Sequence, residues 1–474
     1  MAHWLKDRGF DAYAVRGGVA ALHGRPQPAP DQARSTKLEA AVPRRTLGAF
    51  RHPHFRLYSA GVLLSLTGNA AEAAAFGYVV LLLGGSAATL GLIGFLSTVP
   101  NLVFALPGGA LADRYDQRRL LLVYQGAAMA VPVSLAVLWA ADLLTVPLMG
   151  VFAVAGGVLG ALSFPAFQGM LAATVPKEDL ESAVAINSLS LQLARFVGPA
   201  IAGFLLAEGG PTWVFAVNAA TFPAVLAALA LLPRSQRPAA ENAAKLGGAM
   251  RDGLRYVFGQ RSVASLMALT LLAGLFATPA VAFMLPGIVR FQLDAGGGTL
   301  GALTAAIGLG SVLGAAALIP LSRRPNKGEP VLAGYFLTAL GIAGLGVSTS
   351  LPLSLGLGLV GGFCGVVFVG LSTVVVQLTS TDEMRARAMA IWAVAFVGVL
   401  PLGGLITAGL AAWLGAGGAV LVDGLVTFGG GLLWVAARPE IKWLGCAALP
   451  ETCVAATNPA AIAVEVGVDD AASA

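Results

Sequence analysis

Three ionisable residues stand inside long apolar stretches of the sequence: Glu72, Arg195 and Asp423. A charge at membrane depth costs about 2.5 to 3.5 kcal/mol on insertion scales, so such residues are functional candidates by default. Asn69 lies one helical turn before Glu72 on the same face. A carboxyl group there can take up a proton on one side of a membrane and release it on the other, which is the chemistry of a proton-coupled carrier. Ser188, Gln192, Arg195 and Pro199 share another helical face, assigned to a cavity wall. Arg195 is thirteen residues into its span, about 20 Å from the end at ~1.5 Å per residue, too deep for easy snorkelling. Two other readings stay open: Arg195 hydrogen-bonded to carbonyls of a neighbouring helix, and Glu72 joined to Arg195 in a static bridge. Asp423 falls near the outer end of its span, within reach of water. Asn101, Gln168, Asn187 and Asn218 fit equally well as hydrogen-bonding glue between helices.

These residues need helices to hold them, and the composition supplies helices for lipid. The chain has 474 residues, 57% hydrophobic and 11% charged, which no water-soluble fold could keep off its surface. A pI of 9.3 does not point to nucleic acid, because the basic residues sit in loops that flank apolar runs. All four histidines (His3, His23, His52, His54) precede the first apolar run, which excludes a histidine metal centre or base within the bilayer. The three cysteines, Cys364, Cys446 and Cys453, lack metal or disulfide spacing and read as free thiols. No metal site and no cofactor is expected.

Apolar runs long enough to span a bilayer are predicted at 57–83, 87–112, 119–141, 145–171, 182–206, 212–232, 262–291, 298–321, 329–349, 352–378, 384–411 and 417–437. The expected fold is an all-α polytopic membrane protein of twelve transmembrane helices in two pseudo-symmetric six-helix bundles, 57–232 and 262–437. Residues 1–56 read as a disordered cytoplasmic tail and 438–474 as a cytoplasmic C-terminal tail. The linker 233–261 carries Leu246, Met250, Leu254, Val257 and Phe258 at helical spacing, with Arg251 and Arg255 off that stripe. An interfacial amphipathic helix fits this pattern, and a flexible linker is the alternative.

Ten lysines and arginines precede residue 57. Others fill the loops after the second span (Arg114, Arg118, Arg119), the fourth (Lys177), the eighth (Arg323, Arg324, Lys327) and the tenth (Arg385, Arg387). The opposite loops hold Arg290 with Glu208 and Asp294 nearby. The positive-inside rule then places both termini in the cytoplasm. The halves also repeat at an offset of 205 residues: Gly109, Arg118, Arg119, Gly198 and Asn218 map onto Gly314, Arg323, Arg324, Gly403 and Asp423.

Between the second and third spans runs GGALADRYDQRRLL, Gly108 to Leu121. Its glycine, aspartate and arginines, at Gly109, Asp113, Arg114, Arg118 and Arg119, resemble the cytoplasmic signature of the major facilitator superfamily. Gly109 would let two helices approach closely, and Asp113 could pair with arginine or with the positive end of a helix. The resemblance implies a gating latch that stabilises the outward-facing state and breaks when the cytoplasmic side opens. The second half keeps Gly314, Arg323 and Arg324 but has Leu318 where an aspartate would map. From LGAFRHPHFRLYSAGVLLSLTGN to the twelfth span, and above all in the segment Phe164 to Leu205, the chain is similar to the secretion-type permeases of that superfamily, the branch that includes the enterobactin exporter. Arg195 before Gly198 and Pro199 belongs to that likeness. Gly198, Pro199 and Gly203 partly match the fifth-span motif of drug/proton antiporters, with a kink and close packing as the simpler reading. The chain lacks the fourth-span arginine of many of those antiporters.

The resemblance implies secondary active, proton-coupled export of a small amphipathic molecule such as a drug, macrolide or siderophore, by alternating access at the inner membrane. Proton-coupled import of a metabolite is the alternative, because a fold does not set direction. A membrane-embedded enzyme or lipid-handling protein is the alternative of another class, but no reactive cluster beyond His52 and His54 supports it. No GxxxxGK[ST] fingerprint is present, so a gradient must supply the energy. The expected partners are the substrate, protons and the bilayer, with no nucleic acid and no obligate protein partner.

Overall fold

The computed structural model describes residues 48–233, 255–324 and 326–438. Contacts divide the chain after Gly48, and every element below belongs to the unit Ala49–Ala474. The tails before residue 48 and beyond 438, and most of the proposed linker helix, lie outside the described residues.

Six helices form the first half: α1 (Pro53–Leu82), α2 (Ala87–Arg114), α3 (Gln117–Ala140), α4 (Val146–Ala173), α5 (Leu180–Glu208) and α6 (Gly210–Leu231). Their length follows from the bilayer, since about 20 residues cross the hydrocarbon core and the surplus allows tilt. Their ends follow from local chemistry. Proline sits in the first turn of α1, α4 and α6, where its missing N–H is no loss. Ser86 and Thr89 make a capping box at the start of α2. The Asp116 carboxylate accepts from the Arg118 N–H at 2.9 Å and so caps α3. Pro53 starts α1 ahead of the Leu57 expected from hydropathy.

The second half comprises α7 (Arg261–Leu272, extended through Ala273–Ala277, Thr278–Gly287 and Ile288–Gln292), α8 (Gly297–Ser322), α9 (Gly328–Val347) and α10 (Leu351–Thr379). One helical stretch of 51 residues, Arg387–Ala437, follows. It breaks at Gly415, whose φ of 72° is open to glycine at little cost. The chain reverses on that residue, so α11 runs from Asp382 to the break and α12 from the break to Ala437. Among the described residues ten helical stretches are long and apolar enough to cross a membrane; dividing the last at Gly415 and adding the 30-residue α1 gives twelve segments.

Among the described residues three π-turns interrupt helices of the second half where α1 and α5 have none; one, Ile288–Gln292, ends α7, and the other two lie within their helices. Ala273–Ala277 lies in α7 and Val394–Gly398 in α11. They face each other, because Gly274 has no side chain to hold off the carbonyls of Ala395 and Phe396. The Thr278 N–H and its hydroxyl both donate to the Ala273 carbonyl, the hydroxyl at 3.1 Å, and so close the wider turn.

Within the first half α1 packs on α5 and α6, α2 on α4, and α3 on α4 and α6. In the second, α8 and α9 pack on α10, and α9 also on α12. The halves meet where α5 lies along α8 and α2 along α11. The closest approaches cluster on the side of the α1–α2 loop. A Cβ on Gly203 would stand 2.5 Å from the Gly301 Cα, one on Gly91 2.5 Å from the Ala408 methyl, and one on Gly77 2.9 Å from the Pro286 ring. Small residues there let backbones touch, where dispersion has to replace the hydrophobic effect. No comparable packing joins α4 to α10 or α11 among the described residues. The bundles are therefore sealed on the α1–α2 side and part toward the α2–α3 side.

Candidate functional site

Glu72 does not meet Arg195. The Asn218 amide, on α6, donates to the Glu72 carboxylate at 2.5 Å and lies 3.3 Å from the Asn69 carbonyl oxygen. Asn218 is 2% exposed. Gly68 makes room for it: a Cβ there would fall on the Asn218 and Thr221 side chains. The Thr221 hydroxyl donates to the Asn218 main-chain oxygen at 2.7 Å and lies 3.3 Å from the amide oxygen. Asn69 is exposed and Glu72 half-buried, so an acid held by an amide stands at the edge of the first bundle. Sequence reasoning offered Asn218 as hydrogen-bonding glue between helices, and it joins α6 to α1 through Glu72 and Asn69.

On α5, Ser188 and Arg195 are exposed and Gln192 is half-buried. The Arg195 guanidinium reaches only the Gln192 side-chain oxygen, at 3.5 Å, and the Ser188 hydroxyl turns back to the Val184 carbonyl at 2.9 Å. The static Glu72–Arg195 bridge is absent, and so are hydrogen bonds from Arg195 to carbonyls of a neighbouring helix. His52 Nε2 lies 2.8 Å from the Asp179 carboxylate, a hydrogen bond that ties the start of α1 to the α4–α5 loop. Gly198 and Gly203 pack α5 on both sides: Gly198 against Thr67, Ala70 and Ala71 of α1, and Gly203 with Pro199 against Gly301 of α8.

Asp423 is placed differently from the expectation. It is fully buried within the second bundle, and water does not reach it. One carboxylate oxygen accepts from the Thr407 hydroxyl of α11 at 2.7 Å, and the other is buried without a partner. Asn101 and Gln168 are exposed and join no helices.

In the motif, the glycine that admits a neighbouring helix is Gly108, whose Cβ would stand 3.0 Å from the Ala161 carbonyl of α4, while Gly109 faces open space. Asp113, Arg114 and Arg119 are exposed. Arg118 donates to the Leu229 carbonyl at 2.9 Å and to the Ala230 carbonyl. These are among the last acceptors of α6, where a helix leaves carbonyls free and carries its negative pole. No group of three metal-ligating side chains occurs among the described residues.

Twelve crossings in two six-helix bundles around a one-sided opening, with polar residues along α1 and α5, define a secondary transporter with the major facilitator fold. The chain belongs to the transmembrane secretion effector family, whose profile matches residues 44–449. It is similar to the enterobactin exporter EntS of Escherichia coli O81 (strain ED1a), 28% identical over 381 residues that cover 77% of this chain and 86% of that protein. The Shigella flexneri enterobactin exporter EntS is 29% identical over the same shares. Among solved structures, the nucleoside transporter NupG superposes with a TM-score of 0.64 at 13% identity, over 82% of this chain and 99% of that one. A POT family transporter gives 0.63 at 13%, over 82% and 96%. The protein is a multi-pass membrane transporter of a small molecule and not an enzyme.

Proposed function

We propose that the protein exports a small amphipathic molecule across the inner membrane in exchange for protons, with both termini in the cytoplasm. The orientation rests on the arginines and lysines of the α2–α3, α4–α5, α8–α9 and α10–α11 loops. With that orientation the opening faces the cytoplasm, where an exporter loads. The observation that carries proton coupling is the Glu72 carboxyl at membrane depth, held by Asn218 beside the exposed Asn69. A carboxyl so held can exchange a proton as its surroundings alternate between the two sides. The exposed, unpaired Asp113 fits a latch that is open in this inward state. Export is favoured over import by the exporters among its relatives, and a catecholate siderophore belongs in the first substrate panel for the same reason.

The test is flux in everted vesicles with an imposed proton gradient. Wild-type protein accumulates substrate, collapse of the gradient stops it, and Glu72→Gln abolishes the gradient-driven part while leaving substrate exchange. Undiminished gradient-driven flux in Glu72→Gln would remove Glu72 from the mechanism. Uptake in right-side-out vesicles alone would reverse the direction.

A further inference from the structure

Arg195 is a cation at membrane depth that no carboxylate among the described residues neutralises. Its position on α5 follows from what the helix touches. Gly198 faces α1, and Gly203 faces α8. At ~100° per residue Arg195 lies roughly 60° from the first direction and 80° from the second, inside the wedge between them. Ser188 and Gln192 fall in the same wedge. The lipid-facing residues Val197 and Phe204, 37% and 66% exposed, lie on the opposite side of α5. The exposure of Arg195 is therefore toward the space between the two bundles.

Its depth is equally defined. Fifteen residues separate it from the start of α5 at Leu180, about 22 Å along the axis. Its main chain already belongs to the seal, since a Cβ on Gly308 of α8 would stand 3.0 Å from the Arg195 carbonyl. The guanidinium thus marks the closed end of the opening. A guanidinium has five N–H donors, and here a single side-chain oxygen at 3.5 Å accepts from it. The carboxyl groups at membrane depth are engaged elsewhere: Glu72 with Asn218, and Asp423 with Thr407 inside the second bundle. Water can solvate the charge while the opening is wide. Once the bundles close around it, an uncompensated cation is costly.

We propose that Arg195 is the anion-binding residue of the substrate site, and that the transported molecule is an amphiphile whose acidic group docks on it. The inference rests on the transport reading above and adds the class of substrate. The planar fork matches a carboxylate, sulfonate, phosphate or catecholate. Val184 and Leu191, 48% and 38% exposed, lie nearer the α1 side of the same wedge and offer an apolar wall for the rest of the molecule.

The experiment uses the full chain in lipid nanodiscs, with empty nanodiscs subtracted, and two fluorescent probes with related ring systems. One is 1-anilinonaphthalene-8-sulfonate, and the other is the uncharged N-phenyl-1-naphthylamine. Wild-type protein should favour the sulfonate, and raising the salt should weaken that probe alone. Arg195→Gln should lower sulfonate affinity by at least about tenfold, the range for a lost hydrogen bond to a charged group, and leave the neutral probe unchanged. Arg195→Lys, which keeps the charge without the fork, should fall between. Equal sulfonate binding by wild type and Arg195→Gln, or wild-type sulfonate binding indifferent to salt, overturns the proposal. If anionic phospholipid in the disc displaces the sulfonate from wild type, the anion site stands and a lipid headgroup can fill it. Unchanged flux of an acidic amphiphile in Arg195→Gln sinks this inference and spares the transport reading. Arg195-dependent binding with no flux of any probe does the reverse.

Discussion

Gly203 of α5 and Gly301 of α8 meet backbone to backbone, with no side chain between the two bundles at that point. The seal on the α1–α2 side depends on this contact and on its counterpart between Gly91 and Ala408.

Gly203→Val should therefore hold the bundles apart. Overpacking costs about 1 to 3 kcal/mol, a shift of roughly 5- to 150-fold in the population of the sealed state. Spin-label distances between the outer ends of α5 and α8 should lengthen, and flux should fall. Unchanged distances would mean that the seal does not rest on this pair.

Asn218→Leu removes the donor to Glu72 and Asn69. A hydrogen bond to a charged group contributes about 1.5 to 3 kcal/mol, so the melting temperature should drop. The same substitution should cost less in a Glu72→Gln background, because the charge that needs the donor is gone. Equal losses in the two backgrounds would show that Asn218 acts through packing alone.

Arg118→Gln leaves the Leu229 and Ala230 carbonyls short of a partner, and a fall of about 1 to 3 kcal/mol in stability is expected. Arg119→Gln, at an exposed neighbour, should change stability by no more than about 0.5 kcal/mol. Thermal melts of the two variants side by side would separate the latch arginine from its neighbour.

Asp423→Asn should leave gradient-driven flux intact, because Asp423 is buried in the second bundle and its replacement still accepts from Thr407. Asp423→Leu strips the Thr407 hydroxyl of its acceptor and should lower the melting temperature instead. Loss of flux in Asp423→Asn with a normal melt would put this carboxyl back into the transport cycle.

The fold was legible because lipid allows few solutions: apolar length fixed the number of helices, and each of the twelve spans read from hydropathy overlaps a helix. The repeat offset pointed to two related bundles. What stayed hidden depends on which faces meet. The motif put the close approach at Gly109, and only the position of α4 shows that Gly108 makes it. Asn218 looked like one polar residue among several, and only the α1–α6 contact assigns it to Glu72. Asp423 lay near a span end in sequence, yet α11 covers it with Thr407. Two of the π-turns had no signature, since Ala273–Ala277 and Val394–Gly398 are ordinary apolar pentamers.

Those π-turns give the two halves different mechanical characters. Each adds about one residue of slack to its helix, so α7 and α11 can slip by about one step of ~1.5 Å without losing a full turn of hydrogen bonds. α1, which holds the Glu72 carboxyl, and α5, which holds the Arg195 cation and an internal Pro199, have no π-turn. The slack therefore lies across the opening from the carboxyl and the guanidinium, in the half that has to accommodate whatever they hold.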